Sequence, residues 1–257
     1  MAGSPAPERR LDWEACYNAR DVGGYRTAGG GSTRWRGFFR SDNLCRLSPN
    51  GQAALLAAGV RTVIDLRSPF ELRIDPCPFD AAPPLAGGPA YVNLPVIDPT
   101  DRAAATAIDR AETVATAYAR MLDSCQIRLA TILRAVAAAP PGGVLVYCHA
   151  GKDRTGLVTA LVLALAGVAP ATIAEDYALS DGFLQPWYHE QLRTATSEAR
   201  REWLTSYLWS SRNVAHPEAM LATLAYLDRQ HRGVRPYLRA AGVTEPELER
   251  IRRRLGA

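Results

Sequence analysis

Short apolar runs alternate along this chain with longer stretches of helical periodicity. Val144 to Tyr147 is apolar and β-branched and reads as a buried strand, as does Arg61 to Leu66. Tyr91 to Val96 is a third such run. Thr33 to Arg40 alternates loosely with aromatic residues as a fourth, entered from a Gly29-Gly-Gly-Ser32 hairpin loop. Between these runs the apolar spacing becomes three and four. Ser48-Pro49 predicts a helix start, with Ser48 as N-cap and Pro49 in the first position, and Gly59 at the far end. Leu157, Leu161, Ala164 and Leu165 predict another helix, closed by Gly167. The Ala-rich stretch Thr106 to Ala139 predicts helix broken near Ser124, and Pro140-Pro-Gly-Gly143 resets the chain. Thr172 to Leu179 predicts a short helix, and Pro217 to Ala257 three more, separated by Gly233 and Gly242. This alternation predicts an α/β domain: a mainly parallel central sheet flanked by helices, with a helical C-terminal part.

The chain is arranged around Val144 to Leu165, which reads as strand, tight polar loop and helix. Loop N–H groups and a helix N-terminus facing one point favour an anion. Five residues separate Cys148 from Arg154. That spacing lets the loop curl until a thiolate lies at its base and a guanidinium closes its rim. The Arg fork can grip two phosphoryl oxygens, and its positive charge favours the thiolate form of the cysteine. A thiolate beneath a cradled tetrahedral anion is poised for in-line attack on phosphorus. Thr155 is placed to hydrogen-bond the sulfur and help it leave.

Composition narrows the setting. A chain of 257 residues with 47% apolar content suits one sizeable domain, taken as 11–257 after a flexible arm at 1–10. No run of 18 apolar residues predicts a membrane span, and the arm lacks the apolar core of a secretory signal. The five cysteines follow neither a metal pattern nor a disulfide framework, so no metal and no cofactor are expected, and a reducing cytoplasm fits. The net charge of +4 favours acidic substrates without implying nucleic acid. Arg250 to Arg254 reads as a solvated helix face. Of the 30 basic residues, 29 are Arg, and the single lysine, Lys152, falls inside the loop.

Cys148-His-Ala-Gly-Lys-Asp-Arg-Thr-Gly156 resembles the active loop of the cysteine-dependent protein tyrosine phosphatases, in the broad-specificity, lipid-phosphatase-like bacterial branch. Three upstream segments match that branch in order: Asn18 to Tyr25, Arg40 to Asp42, and Ile64 to Ser68. The resemblance implies a phosphotyrosine-phosphatase-like fold and phosphomonoester hydrolysis through a phosphocysteine on Cys148. It implies phosphotyrosine substrates, with phosphoserine, phosphothreonine or phosphoinositides in addition; a small phosphorylated metabolite is the alternative. It implies that His149, Ala150, Gly151 and Lys152 line the phosphate site, that Asp98 rides a movable general-acid loop stiffened by Pro95 and Pro99, and that a helical lid occupies about 183–235. In one place the chain departs: the family usually has a His before the nucleophile that helps organise the loop and ionise the thiol, and here that residue is Tyr147.

Several assignments stay open on sequence. The general acid is Asp153, inside the loop, or Asp98, with Asp153 preferred; Asp98 also fits a plain helix cap. Arg67 contacts phosphate or forms a surface ion pair with Glu71. Lys152 is expected at the rim, where a flexible ammonium meets a second phosphate or an acidic neighbour. Arg20 and Asp21 read as a structural ion pair or cap. Trp187, Tyr188, Trp203, Tyr207 and Trp209 read as core packing or as the lid. A Walker-type NTPase is excluded, because Val146 stands where its first Gly belongs and Asp153 where Ser or Thr must follow Lys. A rhodanese-like sulfur transferase does not call for Lys152-Asp153-Arg154. The change at Tyr147 keeps a catalytically weak phosphate-binding module as a further alternative.

Overall fold

The computed structural model describes residues 8–80, 87–98, 100–208 and 214–256. Five strands form one sheet: β1 (Arg20–Asp21), β2 (Phe38–Ser41), β3 (Val60–Asp65), β4 (Ala90–Asn93) and β5 (Gly143–Tyr147), in the order β1-β2-β5-β3-β4. Only β1 runs antiparallel, at one edge. β5 lies between β2 and β3, parallel to both, so the loops after these three strands open at one end of the sheet. Ligands bind at that end in open α/β sheets.

Alternation along β5 divides the core in two. Val144 and Val146 face a large helical side, while Leu145 and Tyr147 face a thinner layer with Phe39, Leu55 and Val63. Cys148 belongs to the helical side, so it and Tyr147 lie on opposite faces.

The thin side carries α1 (Pro49–Ala57), capped by the Ser48 hydroxyl on the Gly51 N–H as the sequence predicts. The short α2 (Pro69–Ile74) follows β3. The expected Ala-rich helix is three: α3 (Arg102–Asp109), α4 (Val114–Ser124) and α5 (Gln126–Ala138). The break at Cys125 was legible. The earlier one arises because the Thr113 hydroxyl caps the Thr116 N–H and starts a new helix. The catalytic helix α6 (Asp153–Leu165) is buried along most of its length and ends at Gly167, whose φ is +80°.

The short helix expected at Thr172 to Leu179 is part of α7 (Pro170–Arg193), which continues through Pro186. A proline loses one helical hydrogen bond, and here Leu184 and Tyr188 pack on either side of it. Residue 183, where the expected lid begins, therefore lies inside a continuous helix. α8 (Glu198–Leu208) follows, then α9 (Pro217–His231), α10 (Val234–Ala240) and α11 (Glu245–Arg254), three helices as expected. Met220, Leu224 and Leu227 of α9 join the main core. Trp209 and Pro99 lie outside the described residues, as do the side chains of Trp203 and Tyr207. No helix among the described residues is long and apolar enough to cross a membrane.

Candidate active site

The loop from Cys148 to Lys152 is held from outside by three donors. The Asn43 N–H donates to the His149 carbonyl at 2.9 Å, Asn18 Nδ2 to the Ala150 carbonyl at 2.9 Å, and Arg40 Nη2 to the Gly151 carbonyl at 2.8 Å. In a planar trans peptide the next N–H points the opposite way. Three carbonyls pulled outward therefore turn the N–H groups of Ala150, Gly151 and Lys152 toward the concave side. Gly151 makes the curl possible: its φ is +67°, and a Cβ there would lie 2.3 Å from the Ser41 carbonyl oxygen.

The upstream motif is the loop's external frame. Arg20 and Arg40 both bind Asp176, at 3.0 and 2.7 Å, and all three are buried. Tyr25 donates to the same carboxylate at 2.8 Å. Burial alone would raise the Asp176 pKa, but the two guanidinium charges outweigh it and hold the group far below the usual range. Arg20 also bonds the Asn18 side-chain oxygen, which orients the Asn18 amide toward Ala150. Asp21 does not pair with Arg20; it caps the neighbouring turn through the Gly23 and Arg36 N–H groups, at 2.8 and 2.7 Å. Asp42 accepts from the Tyr17 and Asn18 N–H groups and from the Cys16 thiol.

Cys148 is buried at the base of the loop. Arg154, in the first turn of α6, donates Nη1 and Nη2 to the two oxygens of Glu71, each at 2.7 Å. Burial opposes ionisation of Glu71, yet Arg154 and the Ser68 cap outweigh it and push its pKa down to about 2. Arg154 is itself raised: burial would lower its pKa, and the charges of Cys148 and Glu71 more than compensate. The Thr155 hydroxyl is buried with no hydrogen-bond partner.

Lys152 is not at the rim. Its side chain is 1% exposed, and Nζ donates to Asp153 Oδ1 at 2.9 Å. The Tyr118 hydroxyl donates to the same oxygen at 2.6 Å. Burial would raise the Asp153 pKa, but Lys152 and Tyr118 pull it below the ordinary value. Asp98 accepts from Thr100 and from Arg128, and these contacts hold its pKa well down. It is not the cap of α3; Asp101 is. Asp98 lines a cavity of about 200 Å³ together with Glu71 and Arg154, which brings it to the catalytic rim.

Arg67 departs from both sequence readings. It is fully buried and does not pair with Glu71. Its five N–H groups are engaged: by Asp65 (Nε and Nη2), by the Tyr147 hydroxyl, by the Asn43 side chain and by the Asp75 carbonyl. None remains for phosphate. Tyr147, on the far face of β5, donates to Asp65. Arg67 thus links the residue before the nucleophile to Asn43, whose N–H holds the residue after it.

His149 is exposed, edge-on to Trp187 at a centroid distance of 6.2 Å. Both line a cavity of about 320 Å³ with Ala150, Tyr17, Arg46 and Leu204, roofed by α7 and α8. Tyr188 packs with Leu184 and Leu204 in a small cluster under that roof. Sequence reasoning missed Asp176, Glu71 as the Arg154 partner, and Asn43. Glu71 and Asn43 stand far from the loop in the chain, and only the closed topology brings them to it.

The family model of the tyrosine phosphatase family matches residues 11–257. A tyrosine-protein phosphatase of Nostoc commune is 30% identical over 226 residues, covering 85% of this chain and 74% of its own. The triple specificity protein phosphatase PtpB of Mycobacterium tuberculosis is 29% identical over 282 residues, covering 92% of this chain and 95% of its own.

Proposed function

This chain belongs to the tyrosine phosphatase family, and on that premise we propose that it hydrolyses phosphotyrosine through a phosphocysteine on Cys148. One observation carries the reading: three outward-held carbonyls leave three inward N–H groups over a buried cysteine, with a guanidinium at the rim. The Cys148 sulfur attacks phosphorus, the P–O bond to the leaving group breaks, and that oxygen takes a proton. Water then attacks the phosphocysteine, and the thiolate departs with phosphate released. Arg154 and the loop N–H groups bind the equatorial oxygens, where charge grows in the transition state. The buried Thr155 hydroxyl has no other partner and is assigned to the departing sulfur.

Asp98 is our choice of general acid. Asp153 is committed to a buried lysine, whereas the ion pair of Asp98 is partly exposed and Asp98 lines the Arg154 cavity. The cavity of about 320 Å³, lined in part by Tyr17, His149 and Trp187, suits an aryl phosphate or a peptide bearing one, and the triple specificity in the name of PtpB supports a range wider than phosphotyrosine. A reducing, cytoplasmic setting fits five unpaired cysteines.

The test is phosphate release from p-nitrophenyl phosphate and from a phosphotyrosine peptide, in chelator. The native chain turns both over. Cys148→Ser keeps phosphate-analogue binding and loses turnover, because a serine is neither ionised nor a good leaving group. Full turnover by that variant sinks the mechanism.

A further inference from the structure

The end of the sheet opposite Cys148 carries a second cleft. β2 and β5 run side by side from Phe38 and Val144 at this end to Ser41 and Tyr147 at the catalytic end. One wall is the segment before β2, with Arg34, Trp35 and Arg36; the other is the end of α11, with Arg250, Arg253 and Arg254. The cavity between them measures about 540 Å³, and no acidic side chain lines it.

The walls are fixed to one another. The Arg34 N–H donates to the Leu255 carbonyl at 2.7 Å, and Arg254 reaches across to the Gly142 carbonyl at 2.6 Å and the Pro140 carbonyl at 3.2 Å. The approach is so close that a Cβ on Gly37 would lie 2.7 Å from the Arg254 carbonyl oxygen. Trp35 packs against Gly23 and Gly24, which anchors the first wall.

The charges in this cleft meet no carboxylate at ion-pair distance among the described residues, although Asp21 lies near Arg36 and Glu247 near Arg250. Arg34, Arg36, Arg250 and Arg253 form no ion pair with any described residue, whereas Glu245 and Glu249 of α11 are taken by Arg235 and Arg252 elsewhere. The Arg254 Nε–H is buried with no acceptor. Burial, and then the like charge of Arg34, lower the Arg254 pKa. A coding bias toward arginine would scatter the residues; here five converge. Like charges held together raise the energy of the empty cleft, and an anion relieves it. A single phosphate meets one or two guanidinium forks, so the four forks of Arg34, Arg36, Arg250 and Arg253 on two facing walls, with Arg254 braced between them, match several linked phosphates.

We propose that this cleft binds an oligophosphate chain, free or carried by a nucleoside, at a site separate from the catalytic loop. The test is calorimetric titration of inorganic tripolyphosphate into the full chain in excess inorganic phosphate, which fills the catalytic loop. One site is expected, with affinity that falls as salt rises. Arg250→Ala combined with Arg253→Ala, both exposed and unpaired, weakens it about tenfold or more, a loss equivalent to one forked contact. Melting temperature and p-nitrophenyl phosphate turnover stay native. Adenosine triphosphate is titrated in parallel. Equal affinity identifies the phosphate chain as the group bound, and tighter binding identifies a nucleotide as its carrier. No binding in excess phosphate, or unchanged affinity in the double variant, overturns the proposal, and so does binding of duplex nucleic acid alone.

Discussion

Arg154 lays two of its N–H groups on the two oxygens of Glu71, each at 2.7 Å, and keeps three for a ligand. Glu71 is itself fixed, taking the Ser68 N–H at 2.8 Å and hydroxyl at 2.9 Å in the cap of α2. The carboxylate therefore sets the plane of the guanidinium. Glu71→Gln keeps the shape and loses the charge, and kcat is expected to fall about tenfold with a smaller change in KM, since a misaligned fork loses most in the transition state. An unchanged kcat refutes this. The folded pKa of about 2 lies below the ordinary 4.5, so the pair's stabilisation is complete above about pH 4.5 and is lost as pH falls toward 2.

The three outward bonds of the loop predict graded effects. Asn18→Ala frees the Ala150 carbonyl and also takes the acceptor from a buried Arg20 N–H, a loss of about 2–4 kcal/mol of stability. Turnover drops further than that loss of stability suggests, because the Gly151 N–H is no longer aimed. Gly151→Ala is far worse, since its Cβ meets the Ser41 backbone at 2.3 Å with φ at +67°. Loss of measurable turnover is expected there, with a lowered melting temperature. A fully active Gly151→Ala protein contradicts the loop geometry.

The sequence disclosed the catalytic loop because its chemistry is local: strand, curl and helix fall within about twenty consecutive residues. Asn18, Arg20 and Arg40 were visible as a motif, but not what they hold. Asp176 sits more than a hundred residues later on α7, in a stretch that reads as ordinary amphipathic helix. Lys152 was misplaced for a different reason. A lysine in a polar loop reads as exposed, and nothing local shows that Tyr118 and Asp153 enclose it. Arg67 was misread because Glu71 is four residues on, whereas the partner that wins, Asp65, is two residues back and buried.

Tyr147 stands where the resemblance calls for a histidine, and it serves the opposite face of β5. Its hydroxyl donates to Asp65 and accepts from Arg67 at 3.0 Å, both fully buried. Tyr147→Phe strips a buried carboxylate of one donor and leaves one Arg67 N–H unsatisfied, for a loss of about 1–3 kcal/mol. Urea denaturation measures it. Arg67 also holds Asn43, whose N–H bonds the His149 carbonyl, so kcat declines along with stability. A variant of native stability shows that the hydroxyl is not part of the frame.

The assignment of the proton donor rests on what each carboxylate would give up. Protonating Asp153 leaves Lys152, 1% exposed, without its counter-charge, and an uncompensated buried charge is costly. Asp98 gives up only Thr100 and a partly exposed Arg128, and it already borders the cavity that Arg154 enters. Asp98→Asn is expected to slow poor leaving groups, such as alkyl phosphates, more than p-nitrophenyl phosphate, because only poor leaving groups need the proton. Asp153→Asn slows all of them alike and lowers the melting temperature. Arg128→Ala supplies an independent reading. Thr100, and then Arg128, hold the Asp98 pKa down, so removing the cation raises it. A general acid must be protonated, so the basic limb of the kcat profile then moves to higher pH. If Arg128→Ala leaves that limb in place while Asp153→Asn carries the leaving-group dependence, the proton comes from inside the loop and Asp98 is only a surface anchor.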